Sequence, residues 1–168
     1  SGMTEYSEPV FVDFSPPTLC YCTTNLGGDC NGYGSIDSVR IINTTLANVG
    51  TGCGNLTAPN YSDYPPAGFT TTTLIRNSTY DISVTCTFNA SISLWIDYDR
   101  NGSFDATEWL QISASTTPNV PASYLFIVPG NANLGTTKMR LRTRASGSPN
   151  GALDACTEFF SGETEDYT

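Results

Sequence analysis

Within the stretch Asp97-Tyr98-Asp99-Arg100-Asn101-Gly102-Ser103-Phe104-Asp105-Ala106-Thr107-Glu108, oxygen-bearing side chains recur at the spacing that wraps one hard cation. In the twelve-residue metal-loop pattern, positions 1, 3, 5, 9 and 12 offer carboxylate or amide oxygens. Position 7 offers its backbone carbonyl, and position 6 is a glycine that permits a sharp turn. Asp97, Asp99, Asn101, Asp105 and Glu108 fill the side-chain positions, Ser103 supplies the carbonyl and Gly102 the turn. Oxygens at about 2.3–2.6 Å suit calcium, whereas softer metals select thiolate or imidazole. An acidic turn between strands needs only about two such residues to satisfy its own backbone. Five in one register, with the glycine and an apolar Phe104 at position 8, point to a metal role and to calcium as the cofactor.

The elements around the loop are strands. Ser91–Ile96 alternates polar and apolar residues and places Ile92, Leu94 and Ile96 on one face. A strand-flanked loop lacks the helix pair that a helix-opening sensor moves. Tyr80, Ile82, Val84, Cys86 and Phe88 alternate in the same way over Thr79–Phe88. Further strands are expected at about 34–43, Phe69–Ile75, Trp109–Ile112, Ala122–Val128 and Thr136–Ala145, with long loops at 20–32 and 50–68. No helix of ordinary length is foreseen, and no repeat recurs at a fixed period. The expected fold is all-β, an antiparallel β-sandwich of jelly-roll or immunoglobulin-like type, with long disulfide-stapled loops and a calcium loop. The expected organisation is an expression scar (Ser1-Gly2-Met3) and a linker or first strand over 1–19, followed by one domain over 20–168.

Charge and cysteine usage narrow the function. The net charge is −9, from 7 basic and 16 acidic residues, so nucleic-acid backbones and anionic membranes are repelled over most of the surface. The longest apolar run, Tyr124–Val128, falls far short of the ~20 residues that span a bilayer, and no membrane insertion is expected. The chain has no histidine, which removes Ser-His-Asp, Cys-His and His-zinc machinery. The one carboxylate pair that can be nominated for glycoside hydrolysis, Asp63 with Glu163, has nothing to raise it above chance, and no enzyme is expected. Cys20, Cys22, Cys30, Cys53, Cys86 and Cys156 form an even set whose expected use is disulfides in an oxidising, extracellular compartment. The i, i+2 pair Cys20 and Cys22 suits a four-thiolate zinc site poorly. Pairing is open among the possibilities, with a lean towards Cys156 reaching back to the 20–30 cluster.

In Lys138–Arg144 the basic residues alternate, so Arg140, Arg142 and Arg144 share one sheet face and Met139 and Leu141 the other. The basic face is expected to be solvated unless acids lie beside it. Tyr33, Tyr61 and Tyr64 stand among Gly, Pro and Asn, in expected loops, where such aromatics could stack on sugar rings or pin a loop to the sheet. Six Asn-x-Ser/Thr sequons begin at Asn43, Asn55, Asn60, Asn77, Asn89 and Asn101, and a sugar on Asn101 would obstruct the expected ion.

Several segments together resemble the GEVED domain, a module of secreted bacterial proteins. Its terminal motif stands here as Gly162-Glu163-Thr164-Glu165-Asp166-Tyr167-Thr168, with Thr for the usual Val. Trp95-Ile96-Asp97-Tyr98-Asp99-Arg100-Asn101-Gly102-Ser103-Phe104 is similar to the family's Trp-Ile-Asp-Tyr/Trp-Asn-x-Asp-Gly-x-Phe, and Tyr61-Ser62-Asp63-Tyr64 to its Tyr-Ser-Asp-Tyr. Tyr21-Cys22, Gly135–Arg142 and Cys156 also fit, so the resemblance covers about 20–168. Asp99 and Asn101 reverse the family's usual Asn and Asp, and the cysteines exceed its usual set. The resemblance implies a β-sandwich with no catalytic residues, attached to larger surface proteins, peptidases or adhesins. It also brings acids to the basic face, where Glu163, Glu165 and Asp166 are expected to pair with Arg140 and Arg142 rather than to support the ion. The function expected is a calcium-binding, non-catalytic extracellular module for adhesion, spacing or targeting, whose partners are the ion and an extracellular glycan or surface protein. The alternative is a carbohydrate-binding module that uses the tyrosines.

Overall fold

The computed structural model describes residues 21–53 and 60–168. The expectations for 1–19, for Cys20 and for the sequon at Asn55 lie outside the described residues. Among those described, nine strands run β1 Ile36–Ile41, β2 Ala47–Val49, β3 Tyr61–Tyr64, β4 Thr79–Cys86, β5 Ala90–Ile96, β6 Trp109–Ser113, β7 Ala122–Ile127, β8 Met139–Ala145 and β9 Thr164–Tyr167. They form a four-stranded sheet ordered β2-β1-β4-β7 and a five-stranded sheet ordered β3-β9-β8-β5-β6. The helical content there is two short 3₁₀ turns, Gly68–Thr70 and Ala106–Glu108. The fold is the expected β-sandwich.

The alternation read from the sequence sets its core. Ile36, Val39, Ile41, Ile82, Val84 and Cys86 of one sheet meet Ile92, Leu94, Ile96, Met139 and Leu141 of the other, nearly all excluded from water. Strand β5 is buried at every residue, a pattern that one-sided packing cannot produce. Its second face, Ser91, Ser93 and Trp95, lies under a layer of loops from both ends of the chain. Trp95 packs with Tyr21, Phe104 and Ala155 and donates its indole N–H to the Ala152 carbonyl at 3.1 Å.

Arg140 and Arg142 lie beneath that loop layer, 0% and 2% exposed, which corrects the expectation of a solvated face. Arg140 grips Asp166 in a fork, Nε to Oδ1 and Nη2 to Oδ2, both at 2.7 Å. Its remaining N–H groups reach the Ala155 carbonyl at 2.9 Å, the Cys22 carbonyl at 2.6 Å and the Cys22 sulfur at 2.8 Å. All five guanidinium donors therefore have acceptors, which is how a buried arginine is tolerated. Arg142 holds the same layer through the carbonyls of Leu26 at 2.9 Å and Thr157 at 2.8 Å. The expected arginine pairing is thus met by Asp166. Glu163 instead accepts the Ile36 N–H at 2.9 Å, and Glu165 accepts the Tyr167 hydroxyl at 2.7 Å.

Among the described residues, two disulfides staple the loops. Cys22–Cys156 joins residues 134 apart, as the lean towards the 20–30 cluster anticipated, and Cys30–Cys53 joins residues 23 apart. Cys86 corrects the expectation that it is disulfide-bonded: it is a free thiol in the sandwich core. The strand alternation that makes Cys86 face inward also removes it from the loops where Cys22 meets Cys156 and Cys30 meets Cys53. Burial pushes its thiol up to about 12, so it stays protonated and inert. A polar maleimide is expected to leave the Cys86 peptide unlabelled in the native protein and to label it on denaturation; peptide mapping checks this.

Three further corrections concern the strands. Phe69–Ile75 is not a strand: Phe69 and Thr70 belong to the 3₁₀ turn Gly68–Thr70, and residues 71–75 have no ladder partner, whatever their propensity. The 50–68 loop contains β3, and β3 runs parallel to β9, with Tyr61↔Thr164 and Tyr64↔Tyr167 in register, in an otherwise antiparallel sandwich. Tyr61 and Tyr64 consequently stand on a half-buried strand rather than in a loop. The Tyr61 hydroxyl donates to Asp166 Oδ2 at 2.9 Å, the Tyr64 hydroxyl to Glu165 Oε1 at 3.4 Å, and the Tyr64 ring stacks on Tyr167 at 4.9 Å. Tyr33 remains 49% exposed.

Candidate metal centre

The loop leaves the end of β5 and returns into β6. Because β5 and β6 pair antiparallel, Trp95↔Trp109, the twelve residues close on themselves and bring position 1 beside position 12. Two positive φ angles let the chain curl, +57° at Arg100 and +84° at Gly102. The Arg100 side chain turns outward to the carbonyls of Leu134 at 2.7 Å and Thr136 at 2.9 Å, so its charge serves the neighbouring segment and not the loop acids.

Carboxylate oxygens of Asp97, Asp99 and Glu108 converge, one from each residue, within 4.8 Å of one another. Asp97 is fully buried and Glu108 is 6% exposed, while Asp99 faces solvent. Backbone N–H groups hold them in place. Asp97 Oδ1 accepts from Asn101 at 3.1 Å and its Oδ2 from Gly102 at 3.1 Å; Glu108 Oε1 accepts from Tyr98 at 2.6 Å and Oε2 from Asp105 at 3.0 Å. Burial holds Glu108 above the usual carboxylate range and the Asp97 charge adds to this, against the pull of three backbone N–H groups. The described ion pairs are Lys138 with Asp63 and Arg140 with Asp166, and neither involves an acid of the loop.

Asp105 is tied to the trio through Asn101, whose amide nitrogen donates to Asp99 Oδ2 at 3.1 Å and Asp105 Oδ2 at 2.8 Å. That amide dipole bridges two carboxylates as a cation would. Its Oδ1 accepts the Ser103 N–H at 2.7 Å, so turning the amide over would aim an oxygen at the carboxylates, a geometry that only a cation between them makes favourable. The donor set is entirely oxygen, clustered, partly buried and without a matching basic side chain. These residues fit a metal ion.

Two residues that the loop pattern does not contain support the centre. The Tyr21 hydroxyl donates to Asp97 Oδ2, and the Tyr21 ring lies 4.8 Å from that of Phe104, position 8 of the loop. The Arg140 guanidinium sits over the same Phe104 ring, 4.7 Å from its centroid. The loop is thereby packed against the disulfide-tied layer. No spacing rule relates Tyr21 to Asp97, and only the packing of the N-terminal segment reveals it.

Neither a curated protein nor a solved structure matches the chain. The family model of the GEVED domain matches residues 91–168, the span that carries the loop, the arginine strand and the terminal acids. Among its described residues the structure has the sandwich and the two disulfides, and no helix long and apolar enough to cross a membrane. Over residues 91–168 the chain is similar to the GEVED domain family, in keeping with the resemblance carried by the loop and the terminal motif.

Proposed function

We propose that this protein is a non-catalytic extracellular module stiffened by one calcium ion and carried by a larger secreted or surface protein, for adhesion, spacing or targeting. The observation that carries this reading is the convergence of the Asp97, Asp99 and Glu108 oxygens within 4.8 Å, with two of the three residues buried. Asn101, once turned over, the Ser103 carbonyl and Asp105 complete a six- to eight-oxygen set of the kind calcium takes. The ion neutralises charge that burial makes costly and joins β5 to β6. The non-catalytic part is supported by the use of the nominated acids: Asp63 pairs with Lys138, and Glu163 receives the Ile36 N–H.

Thermal melting in calcium and in EDTA tests the reading. At a hundredfold excess over Kd, the ion adds about 2.7 kcal/mol. For a domain of this size that raises Tm by roughly 5–10 °C. Asp99→Ala removes an exposed ligand and is expected to keep the fold and lose most of the gain. Equal midpoints of the parent protein in both buffers would sink the metal role.

A further inference from the structure

Three Asn-Gly pairs occur in the chain, at Asn31, Asn101 and Asn150, and the structure treats them differently. Asn150 is 2% exposed, with its amide nitrogen held on the Arg142 carbonyl at 3.0 Å. Asn31 lies exposed in a surface turn. Asn101 is also exposed, but it stands among groups that ring closure would use. The Gly102 N–H, the nucleophile of such a closure, already points at the Asp97 Oδ2 carboxylate at 3.1 Å. The Ser103 N–H donates to Asn101 Oδ1 at 2.7 Å, where negative charge would gather as the carbonyl is attacked. Glycine at 102 leaves the attacking nitrogen unshielded.

We propose that Asn101-Gly102 is a self-modification site, where the asparagine deamidates and gives the loop one more carboxylate when no cation is bound; the cation dependence rests on the metal reading above. The Gly102 nitrogen bonds to Asn101 Cγ and passes its proton to Asp97. The Cγ–Nδ2 bond breaks, and Nδ2 leaves as ammonia with that proton. Water then opens the five-membered succinimide to aspartate or isoaspartate, with no net oxidation. Aspartate at 101 replaces the N–H donor that bridges Asp99 and Asp105 with a charged oxygen at position 5, which raises calcium affinity. Isoaspartate lengthens the backbone and loses the loop geometry. A bound ion fixes the backbone rotation that ring closure needs and so protects the amide.

The test is to incubate the whole chain at mildly alkaline pH with EDTA or with excess calcium, and to follow each asparagine by peptide mass mapping. In EDTA, Asn101 is expected to convert many-fold faster than Asn150. Calcium is expected to slow Asn101 several-fold and leave Asn31 unchanged. Asn101 as durable as Asn150 in EDTA would overturn the proposal. Conversion at equal rates in both buffers would uphold the modification and overturn its cation gating, whereas equal melting midpoints in the same two buffers would separately overturn the metal reading. Asn101→Asp, titrated with calcium, is expected to bind several-fold more tightly than the parent protein; equal or weaker binding would overturn the gain in affinity.

Discussion

Arg140→Leu is expected to destabilise the protein by about 3–5 kcal/mol, the cost of leaving a buried charge without its partner. Asp166 would remain fully buried beneath the loop layer, and the carbonyls of Cys22 and Ala155 would lose their donor. For a domain of this size Tm falls by roughly 6–20 °C, measured by calorimetry or circular dichroism. The double variant Arg140→Leu/Asp166→Leu should recover a large part of the loss, because the charge and its desolvation vanish together. A single-variant loss below about 1 kcal/mol, the range of a solvated surface pair, would contradict the buried arrangement. Calcium affinity should fall as well, since Arg140 stacks on Phe104 of the loop.

Glu165 yields the second large effect. Burial, reinforced by the charge of Glu163, pushes its carboxyl from 4.5 up to about 8. Its hydrogen bonds to Tyr167 and Tyr64 pull the other way and do not offset that burial. Folding therefore takes up a proton between those values. The stability this contributes is fully present below about pH 4.5, declines as pH rises and is gone above about pH 8. Glu165→Gln removes the titration but keeps the shape. The variant should unfold at nearly the same denaturant concentration as the parent protein near pH 4.5. Above pH 8 it should be the more stable by a few kcal/mol. Parallel pH profiles for the two proteins would show that Glu165 does not carry a proton into the fold.

The features legible in the sequence are those whose partners lie close along the chain. The metal loop is one, since twelve consecutive residues carry its donors and its turn, and antiparallel β5 and β6 need only close it. The inward-facing Ile92, Leu94 and Ile96 are another, because a period of two fixes which side chains share a face. The same alternation placed Arg140 and Arg142 together but could not say what would cover them. Their covering loops come from residues near 22–30 and 148–160, joined by the Cys22–Cys156 bridge. Likewise Tyr61 and Tyr64, set among Pro, Gly and Asn, gave no local sign of a strand whose ladder lies a hundred residues downstream in β9.

The amino-acid order alone determined the all-β character, the oxygen-rich loop and the GEVED resemblance, because each is written in residue type and short spacing. Tertiary structure alone decided that Arg140 and Arg142 are buried, that Cys86 is unpaired in the core, that Tyr61 and Tyr64 serve the terminal acids, and that Tyr21 braces Asp97. Each of these depends on which distant segment fills the space above a sheet face. Burial, which sets the energy of a charge or a thiol, is a property of that neighbour and not of the residue's own stretch of chain.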